Sequence, residues 1–365
     1  MIPVTKPYLP NREKLNRYID GIYERQWLTN NGQLVQELTH RLEKYLGVEN
    51  LLLVANGTLA LQIAYRALCV SDSRPAEHPQ AITTPFSFIA TASSMLWDGV
   101  QPVFTDIDPD TWCLAPSKIE DALTPNTRAI VPVHVFGNAC DVEAIGAIAQ
   151  KHRLKIIYDA SHAFGVKYKG ESLLKQGDAA TLSFHATKLF HTGEGGAIVF
   201  KRKADLDRAK KMVNFGIAGP ETIDEPGINA KMNELQAAMG LCVLDEIELI
   251  CQERERVSET YDRYLGEWVE TQRLSPGIDY NHAYYPVTLR SSEQVVRLMS
   301  SLRDVGVNAR RYFYPSLETV SSLGSSFRPC PVSSRLADRI ICLPIYSGLS
   351  AEDIARISEK VIEVC

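Results

Sequence analysis

A lysine between two predicted buried strands is the residue of this 365-residue sequence that most clearly indicates chemistry. Lys188 follows the apolar run "ATLSF" and precedes the run "GGAIVF". The connecting segment also contains glycines at Gly193, Gly195 and Gly196. A lysine in such a short connection cannot extend freely into solvent as one on a helix surface does. The segment alone leaves three interpretations open: a surface charge, a point charge for a phosphate, or a nucleophile.

Polar residues at the ends of other predicted strands would complete a binding site. The turn "ANGT" places the amides of Gly57 and Thr58 at the start of a helix, where a phosphate can bind. Asp159 ends the run "KIIYDA" and needs a cationic partner, and Ser183 can donate its hydroxyl to the same phosphate. Each feature alone also fits an ordinary turn, an N-cap or a structural salt bridge.

Phe88, in "PFSFIAT", could stack on a flat ring, although core packing is the more common role of a phenylalanine. His162 could hydrogen-bond a ligand or pair with backbone inside the core, and His185 and His191 flank the lysine without a required role. Together, the phosphate site, the aromatic side chain, the carboxylate and the lysine match the needs of pyridoxal 5'-phosphate. This cofactor requires a covalent lysine, a carboxylate at its ring nitrogen and a phosphate anchor.

The elements that must position these residues alternate along the first part of the chain. Apolar runs predict strands at 51–56, 81–85, 102–107, 128–135, 155–161, 178–184 and 195–200. Helices are predicted over 58–68 and 87–96, from Pro116, and after Asp141 as the N-cap. Strands that alternate with helices predict an α/β fold with a mostly parallel sheet, covered on both faces.

The pattern changes from about residue 233, where one or two long amphipathic helices are predicted before the chain returns to short strands and helices. We therefore predict a large α/β domain over residues 1–250 and a smaller α+β domain over residues 251–365.

Composition excludes several classes of protein. A net charge of −5 and a pI near 6.0 argue against general binding to nucleic acid or to anionic membranes. The eight cysteines contain no CxxC pair, which favours a reducing cytoplasm over a disulfide scaffold or a metal site. "MIPVTKPYLP" does not resemble a signal peptide, and the most apolar window, residues 81–100, contains Pro85 and Asp98. We expect a cytoplasmic protein that binds neither metal nor membrane.

Several segments together resemble the motifs of the DegT/DnrJ/EryC1/StrS family of nucleotide-sugar aminotransferases. The segments are "SFHATKLFHTGEGG", "DASHAFG", "ANGTLAL", "TTPFSFIAT" and "GINAKMNELQAAMG". The likeness runs from near residue 27 to near residue 350. It implies pyridoxal phosphate as cofactor and the aspartate aminotransferase fold, which is fold type I of the enzymes that depend on this cofactor.

The resemblance implies a role for each matching residue. Lys188 would bind the cofactor covalently and later move a proton, and Asp159 would pair with the ring nitrogen. Phe88 would stack on the ring, while Gly57, Thr58 and Ser183 would hold the phosphate. Asn229 resembles an asparagine that reaches the phosphate from the neighbouring subunit, which implies an obligatory homodimer.

One position departs from the family. His162 stands where the family usually has glutamine, which contacts the ring hydroxyl of the cofactor. A histidine can make that hydrogen bond, but we expect its proton state to be sensitive to pH near neutrality. A branch of the family that dehydrates sugars has histidine in place of the lysine, and the presence of Lys188 argues against that chemistry.

Substrate contacts are predicted in two segments. In "NARRYFYPSL", Arg310 and Arg311 could bind the carboxylate of the amino donor or the nucleotide diphosphate, with Tyr312 beside them. The resemblance places "WLTNNG", with Asn30, near the sugar. "NARRYFYPSL" and the lysine segment look most like the branch that converts dTDP-4-keto-6-deoxyglucose to dTDP-4-amino-4,6-dideoxyglucose with L-glutamate, for O-antigen, lipopolysaccharide or another glycan.

Other functions stay open at this point. A C3 sugar aminotransferase or an amino-acid aminotransferase would share the fold. A non-catalytic regulator would need a DNA-binding module, and residues 1–25 are too short and not basic enough for one. A dinucleotide-binding dehydrogenase would need GxGxxG after the first strand, which "ANGTLA" does not supply.

Overall fold

Strands and helices alternate along the first half of the molecule, and the computed structural model describes residues 1–71, 78–324 and 328–365. The strands are β1 (Ile2–Pro3), β2 (Leu51–Val54), β3 (Gln80–Thr83), β4 (Gln101–Phe104), β5 (Thr127–Val131), β6 (Lys155–Asp159), β7 (Lys167–Tyr168), β8 (Glu171–Ser172), β9 (Ala179–Ser183), β10 (Gly196–Phe200), β11 (Ile217–Gly219), β12 (Thr222–Ile223), β13 (Glu270–Thr271), β14 (Ile278–Asp279), β15 (Tyr285–Thr288), β16 (Val307–Asn308) and β17 (Ile340–Leu343). The helices are α1 (Arg12–Arg25), α2 (Gln33–Leu46), α3 (Gly57–Ala67), α4 (Ala90–Trp97), α5 (Val142–His152), α6 (Lys203–Met212), α7 (Glu234–Leu244), α8 (Ile247–Leu265), α9 (Ser292–Asp304), α10 (Pro331–Arg339) and α11 (Ala351–Ile362).

A seven-stranded sheet lies at the centre of the larger part, in the order β2-β10-β9-β6-β5-β3-β4. Its strands run parallel except β10, which pairs antiparallel with β2 and β9. Successive residues of β10 contribute to two separate cores: Ala197 and Val199 to one, Ile198 and Phe200 to the other. A core on each face explains the continuous apolar runs in the sequence. The predicted mostly parallel, doubly covered sheet is confirmed.

The observed elements differ from the predicted ones mainly at their ends. Most strands end before the predicted runs do. The last residues of those runs lie outside the sheet, in the turns that follow. Asp141 caps α5 as predicted, accepting from the amide of Ala144 at 2.9 Å. The helix predicted from Pro116 is reduced to short 3-10 turns at 116–118 and 120–122. Leu123 is already extended, and Pro125 disfavours helical backbone at the residue before it.

The smaller part of the molecule has its own core. Strands β13, β15 and β17 form an antiparallel sheet, and α8, α9 and α11 contribute Val257, Leu298 and Ile354 to the apolar cluster beside it. The amino terminus joins this part, since β1 pairs parallel with β16 and Ile2 belongs to the same cluster. The predicted division at residues 250 and 251 falls inside α8 and stays a prediction.

Two contacts fix the smaller part against the larger one near the ends of the central strands. Asp106, after β4, accepts hydrogen bonds at 2.9 Å from the amides of Val332 and Ser333 in the first turn of α10. The amide of Leu317 donates to the carbonyl of Pro85 at 2.9 Å. These bonds hold the segment around residues 310–317 beside the turn before α4. Within the described part of the chain, no helix combines the length and apolar content needed to cross a bilayer.

Candidate active site

The carboxyl ends of β2, β6 and β9 open into one cavity of about 680 Å³. Ligands of open α/β sheets bind at this edge. The structure brings most of the predicted site residues to the lining of this cavity: Gly57, Thr58, Phe88, Asp159, His162, Ser183, Lys188, Arg310 and Tyr312.

The start of α3 and the end of β9 approach each other and form a polar cradle. A Cβ atom added at Gly57 would lie 2.8 Å from Cβ of Ser183, so a larger residue would push the two elements apart. Asn56 caps the helix, with Oδ1 accepting from the amide of Leu59 at 2.9 Å. The amides of Gly57 and Thr58 belong to the first turn, which has no intrahelical acceptors. They can therefore bind an anion beside the Ser183 hydroxyl.

Asp159 is a buried carboxylate held by hydroxyl groups. Its Oδ1 accepts from the amide and the hydroxyl of Ser161, at 3.1 and 2.6 Å, and its Oδ2 accepts from the Thr91 hydroxyl at 2.7 Å. Because a carboxylate oxygen has room for two hydrogen bonds, Oδ2 can accept one more from a cationic N–H in the cavity. Sequence reasoning missed Thr91 and Ser161, although both lie inside the quoted motifs "TTPFSFIAT" and "DASHAFG".

The loop between β9 and β10 holds Lys188 at the cavity. The amide of Lys188 donates to the carbonyl of His185 at 2.8 Å, which closes a tight turn. Gly193 has a left-handed φ of 79°, and a Cβ atom at Gly196 would lie 2.7 Å from the carbonyl group of Asn56. The glycines that accompany the lysine are therefore required by the backbone, which must turn and pass close to the start of α3.

The side chain of Lys188 is aimed by a residue that sequence reasoning missed. Its Nζ donates to the hydroxyl of Tyr284 at 3.0 Å. The Tyr284 ring packs edge-on against the rings of His162 and Tyr312, with centroids 4.8 and 6.0 Å apart. Tyr284 lies 96 residues from Lys188 along the chain, just before β15. No local motif in "NHAYYPVTL" indicates this contact.

His162 is fixed in one neutral form. Its Nδ1 accepts from the amide of Phe136 at 3.1 Å, so Nε2 carries the proton of the neutral ring. Burial, together with the positive charge of Lys188, lowers the pKa of His162 well below its usual range. The expectation that His162 changes protonation near neutral pH is therefore wrong, because the buried ring stays neutral there.

Aromatic rings form two different walls of the cavity. The Phe313 ring stacks nearly parallel to the His162 ring, with centroids 5.7 Å apart, and Phe136 lies on a parallel plane in the same cluster. Phe88 instead stands on the turn before α4 and is 56 % exposed. The face of Phe88 is thus not consumed by core packing and can stack on a planar ligand.

The two predicted arginines point in opposite directions. The backbone of Arg310 pairs with Cys342 of β17, and its side chain lines the cavity. Arg311 turns away: its guanidinium donates to the carbonyl of Ala337 at 2.9 Å and lies 3.5 Å from the ring centroid of Tyr314. Successive residues of an extended segment face opposite sides, so only Arg310 reaches the site. The structure places Arg311 outside the cavity, which corrects its predicted substrate contact.

Asn30 and Asn229 do not line the cavity of their own chain. Asn30 lines a second cavity of about 250 Å³, together with Asn214 and Lys231. The backbone of Asn229 pairs with that of Asn214 beside it. The roles predicted for both asparagines are thus not met within one chain and stay predictions.

The two histidines that flank Lys188 differ. His191 is buried, with Nε2 2.8 Å from the carbonyl of Tyr8 and Nδ1 accepting from the amide of Gly193 at 3.3 Å, so its contacts are structural. His185 lines the cavity and lies 2.8 Å from the Thr187 hydroxyl.

The sequence and the fold both match known proteins over nearly their full length. The "dTDP-4-amino-4,6-dideoxy-D-glucose transaminase" of Shigella dysenteriae is 39% identical, with 99% of this chain and 98% of that protein covered. The protein of the same name from Escherichia coli is 36% identical at the same coverage. The crystal structure of DesI in the presence of its TDP-sugar product has a TM-score of 0.91 and 32% identity, and covers 99% of this chain and 92% of that one.

This structural match confirms the predicted fold. The family of "DegT/DnrJ/EryC1/StrS" aminotransferases matches residues 10–362. The chain described here therefore belongs to the DegT/DnrJ/EryC1/StrS aminotransferase family.

Proposed function

We propose that this protein is a pyridoxal-phosphate-dependent transaminase of nucleotide sugars. The reaction transfers the amino group of L-glutamate to C4 of dTDP-4-keto-6-deoxy-D-glucose and forms dTDP-4-amino-4,6-dideoxy-D-glucose. The observation that carries the proposal is the meeting of an amine, a buried carboxylate and an anion cradle in one cavity. The names of two full-length relatives and the TDP-sugar product of DesI support the choice of sugar and nucleotide.

The residues of the cavity fit pyridoxal phosphate. The cradle at the start of α3 suits a phosphate, and the spare lone pair of Asp159 suits a protonated ring nitrogen. The Nε2–H of His162 can donate to a ring hydroxyl, and the open face of Phe88 can cover the ring. When bound, the cofactor supplies a ring that accepts electrons from the substrate carbon.

The chain's own groups would perform the remaining work. Lys188 would hold the cofactor through Nζ. Once Nζ is free again, it would take a proton from the amine-bearing carbon of glutamate and, in the second half of the reaction, supply a proton to the sugar carbon that receives the amine. Asp159 keeps the ring nitrogen protonated by its fixed negative charge. The ring of Phe313 keeps water from one side of the cavity. Arg310 offers a fork of N–H donors to the carboxylate of glutamate or to the diphosphate of the sugar nucleotide.

A homodimer with shared active sites belongs to this proposal. Large apolar side chains are exposed in segments 27–28, 88–89 and 215–228 and at residue 235, and such exposure is typical of interfaces. They are Trp27, Leu28, Phe88, Ile89, Phe215, Ile217, Ile223, Ile228 and Leu235. Asn229 does not line its own cavity, so a contact with the partner's cofactor phosphate would explain its predicted role.

Complementation between variants tests the shared site. Lys188→Ala and Asn229→Asp chains are each expected to be inactive. Mixing them after mild dissociation should restore activity, because one site of the heterodimer then has both wild-type residues. Inactive mixtures with heterodimers verified by mass spectrometry would show that Asn229 acts within its own chain, and an active Asn229→Asp protein would show that it has no role.

The reaction itself is tested with the purified protein loaded with pyridoxal phosphate. L-Glutamate alone should bleach the yellow absorption band, and subsequent addition of dTDP-4-keto-6-deoxyglucose should restore it. NMR of the product then locates the new amine and separates C4 from the alternative C3 transamination. A protein that takes up the cofactor but never responds to glutamate or to keto sugars would favour the non-catalytic alternative.

We also place the protein in the cytoplasm, in a pathway that supplies an amino sugar to O-antigen, lipopolysaccharide or another glycan. All eight cysteines are free thiols, which fits a reducing compartment.

A further inference from the structure

The contact between Lys188 and Tyr284 joins the two halves of the molecule at the reacting atom. Lys188 comes from the loop after β9, and Tyr284 precedes β15 of the smaller part. Their side chains form a hydrogen bond of 3.0 Å from Nζ to the phenol oxygen. Lys188 is only partly buried, so the bond restricts a side chain that would otherwise sample many rotamers.

A phenol suits both protonation states of an amine. As an acceptor, its oxygen stabilises the ammonium form of Lys188; as a donor, its O–H can bind the lone pair of the free amine. A group that must take and return protons needs a partner in each state. A phenylalanine at position 284 would keep the packing of the ring against His162 and would lose both bonds.

The backbone behind Tyr284 is anchored by a buried arginine. Arg254 is 3 % exposed, and its Nη1 donates to the carbonyl of Ala283 at 3.1 Å. The described ion pairs include no carboxylate partner for Arg254. Burial lowers the pKa of its guanidinium to about 10, while attraction to the Tyr284 oxygen opposes that shift.

We propose that the hydroxyl of Tyr284 is the hydrogen-bond partner that holds the amine of Lys188 towards the cavity in both protonation states, with Arg254 as a positioning residue behind it. This inference rests on the proposed function, because a lysine that carries no proton in a reaction would need no such partner.

Other charged or titratable groups also face the amine, and a test must separate them from Tyr284. They are Asp159, His162, His185, Glu194, Arg310 and Tyr312 around the cavity. None of these is changed when only the hydroxyl of Tyr284 is removed.

The test measures the proton affinity of Lys188 in the full-length chain freed of cofactor. The chain is labelled with fluorodinitrobenzene over a range of pH, and mass spectrometry follows the peptide that contains Lys188. In Tyr284→Phe we expect the labelling midpoint of Lys188 to fall by about one pH unit, because the charge-assisted hydrogen bond that the ammonium loses is stronger than the neutral one that the free amine loses. An unchanged midpoint would overturn the inference.

Tyr285→Phe is the matched control. The hydroxyl of this neighbouring tyrosine donates to Asp262 at 2.7 Å inside the smaller part and does not reach the cavity. Its removal should leave the Lys188 midpoint unchanged, and an equal shift in both variants would also overturn the inference. Should Tyr284→Phe fold poorly without cofactor, Tyr284→Leu, which also lacks the hydroxyl, is labelled in its place.

The labelling result is independent of the proposed function. If the protein takes up no pyridoxal phosphate, the proposed function fails, while the midpoint still reports whether Tyr284 controls Lys188. If loading and transamination succeed but the midpoint does not move, only the inference about Tyr284 fails. Further support would be a fall in turnover of Tyr284→Phe with little change in the KM of either substrate.

Discussion

The lysine loop and the segments that face it from the smaller part meet in one cavity but are encoded in different ways. The loop between β9 and β10 carries Lys188 in a short stretch whose glycines are required by the backbone. The facing side chains come from two separate segments: "NARRYFYPSL" predicts Arg310 but does not distinguish it from Arg311, and no local pattern indicates Tyr284. Chemistry on one side is thus visible in local sequence, whereas on the other it depends on how two parts of the chain pack together.

The largest effect on turnover should come from a substitution in the lysine loop. Lys188→Ala removes the side chain to which we assign both the covalent anchor and the proton carrier, so we expect turnover to fall by at least about 10⁴-fold and the visible absorption of the loaded protein to disappear. Lys201→Ala, at the exposed opposite end of β10, is the matched control and should keep both. A Lys188→Ala protein with normal colour and rate would remove the proposed mechanism.

Asp159→Asn tests the same side of the cavity, because it removes a negative charge and changes the side-chain volume very little. The hydroxyls of Thr91 and Ser161 can rotate to satisfy an amide, so the fold should be retained. We expect turnover to fall by about 10³-fold, because the ring nitrogen loses its fixed negative partner. Steady-state kinetics measures the loss of turnover, and circular dichroism measures whether the fold is retained.

Asp106→Ala provides a contrasting buried carboxylate. It caps α10 and does not line the cavity, so its loss should lower stability by about 1 kcal/mol and affect turnover much less. If both aspartate variants lost stability and activity in the same proportion, Asp159 would be a structural residue only.

How far the sequence predicts the molecule follows the same division. The sheet, the N-cap at Asp141 and the cavity residues of the larger part all arise from local patterns: apolar runs, strand-end polar residues and turn glycines. Tyr284 could not be found in this way, since its hydrogen bond spans 96 residues and depends on tertiary packing. The proton state of His162 was mispredicted for a related reason: residue type gives its ordinary pKa, but only the fold gives its burial.

Arg310 and Arg311 test the segment of the smaller part that faces the lysine loop. Arg310→Gln should raise the KM of whichever substrate it binds by about 10- to 100-fold, as expected for loss of a charge-assisted hydrogen bond. Separate KM values for L-glutamate and for the sugar nucleotide then identify its partner. Arg311→Gln, whose guanidinium points away from the cavity, should leave both KM values nearly unchanged. Equal effects from the two variants would contradict the orientation seen here.

The smallest effect on activity is expected from His162→Gln. A glutamine can accept from the amide of Phe136 through its oxygen and donate to the cavity through its nitrogen, which preserves both hydrogen bonds of the neutral imidazole. Turnover should therefore change little between pH 6 and 8, about the ordinary pKa of histidine. A new inflection of kcat/KM in the wild-type protein that disappears in the variant would show that His162 does titrate there.

The wild-type protein and His162→Gln should differ in the pH dependence of their stability, although their activities are expected to be similar. Because burial lowers the pKa of His162 in the folded chain, the unfolded chain takes up a proton first as the pH falls through about 6.5, and protonation favours unfolding. Wild type should then lose about 1.4 kcal/mol per pH unit from this group, a loss that glutamine lacks. The Tm of His162→Gln relative to wild type should accordingly be higher at pH 5.5 than at pH 8, and a constant difference would mean that the imidazole is accessible to protons in the native cavity.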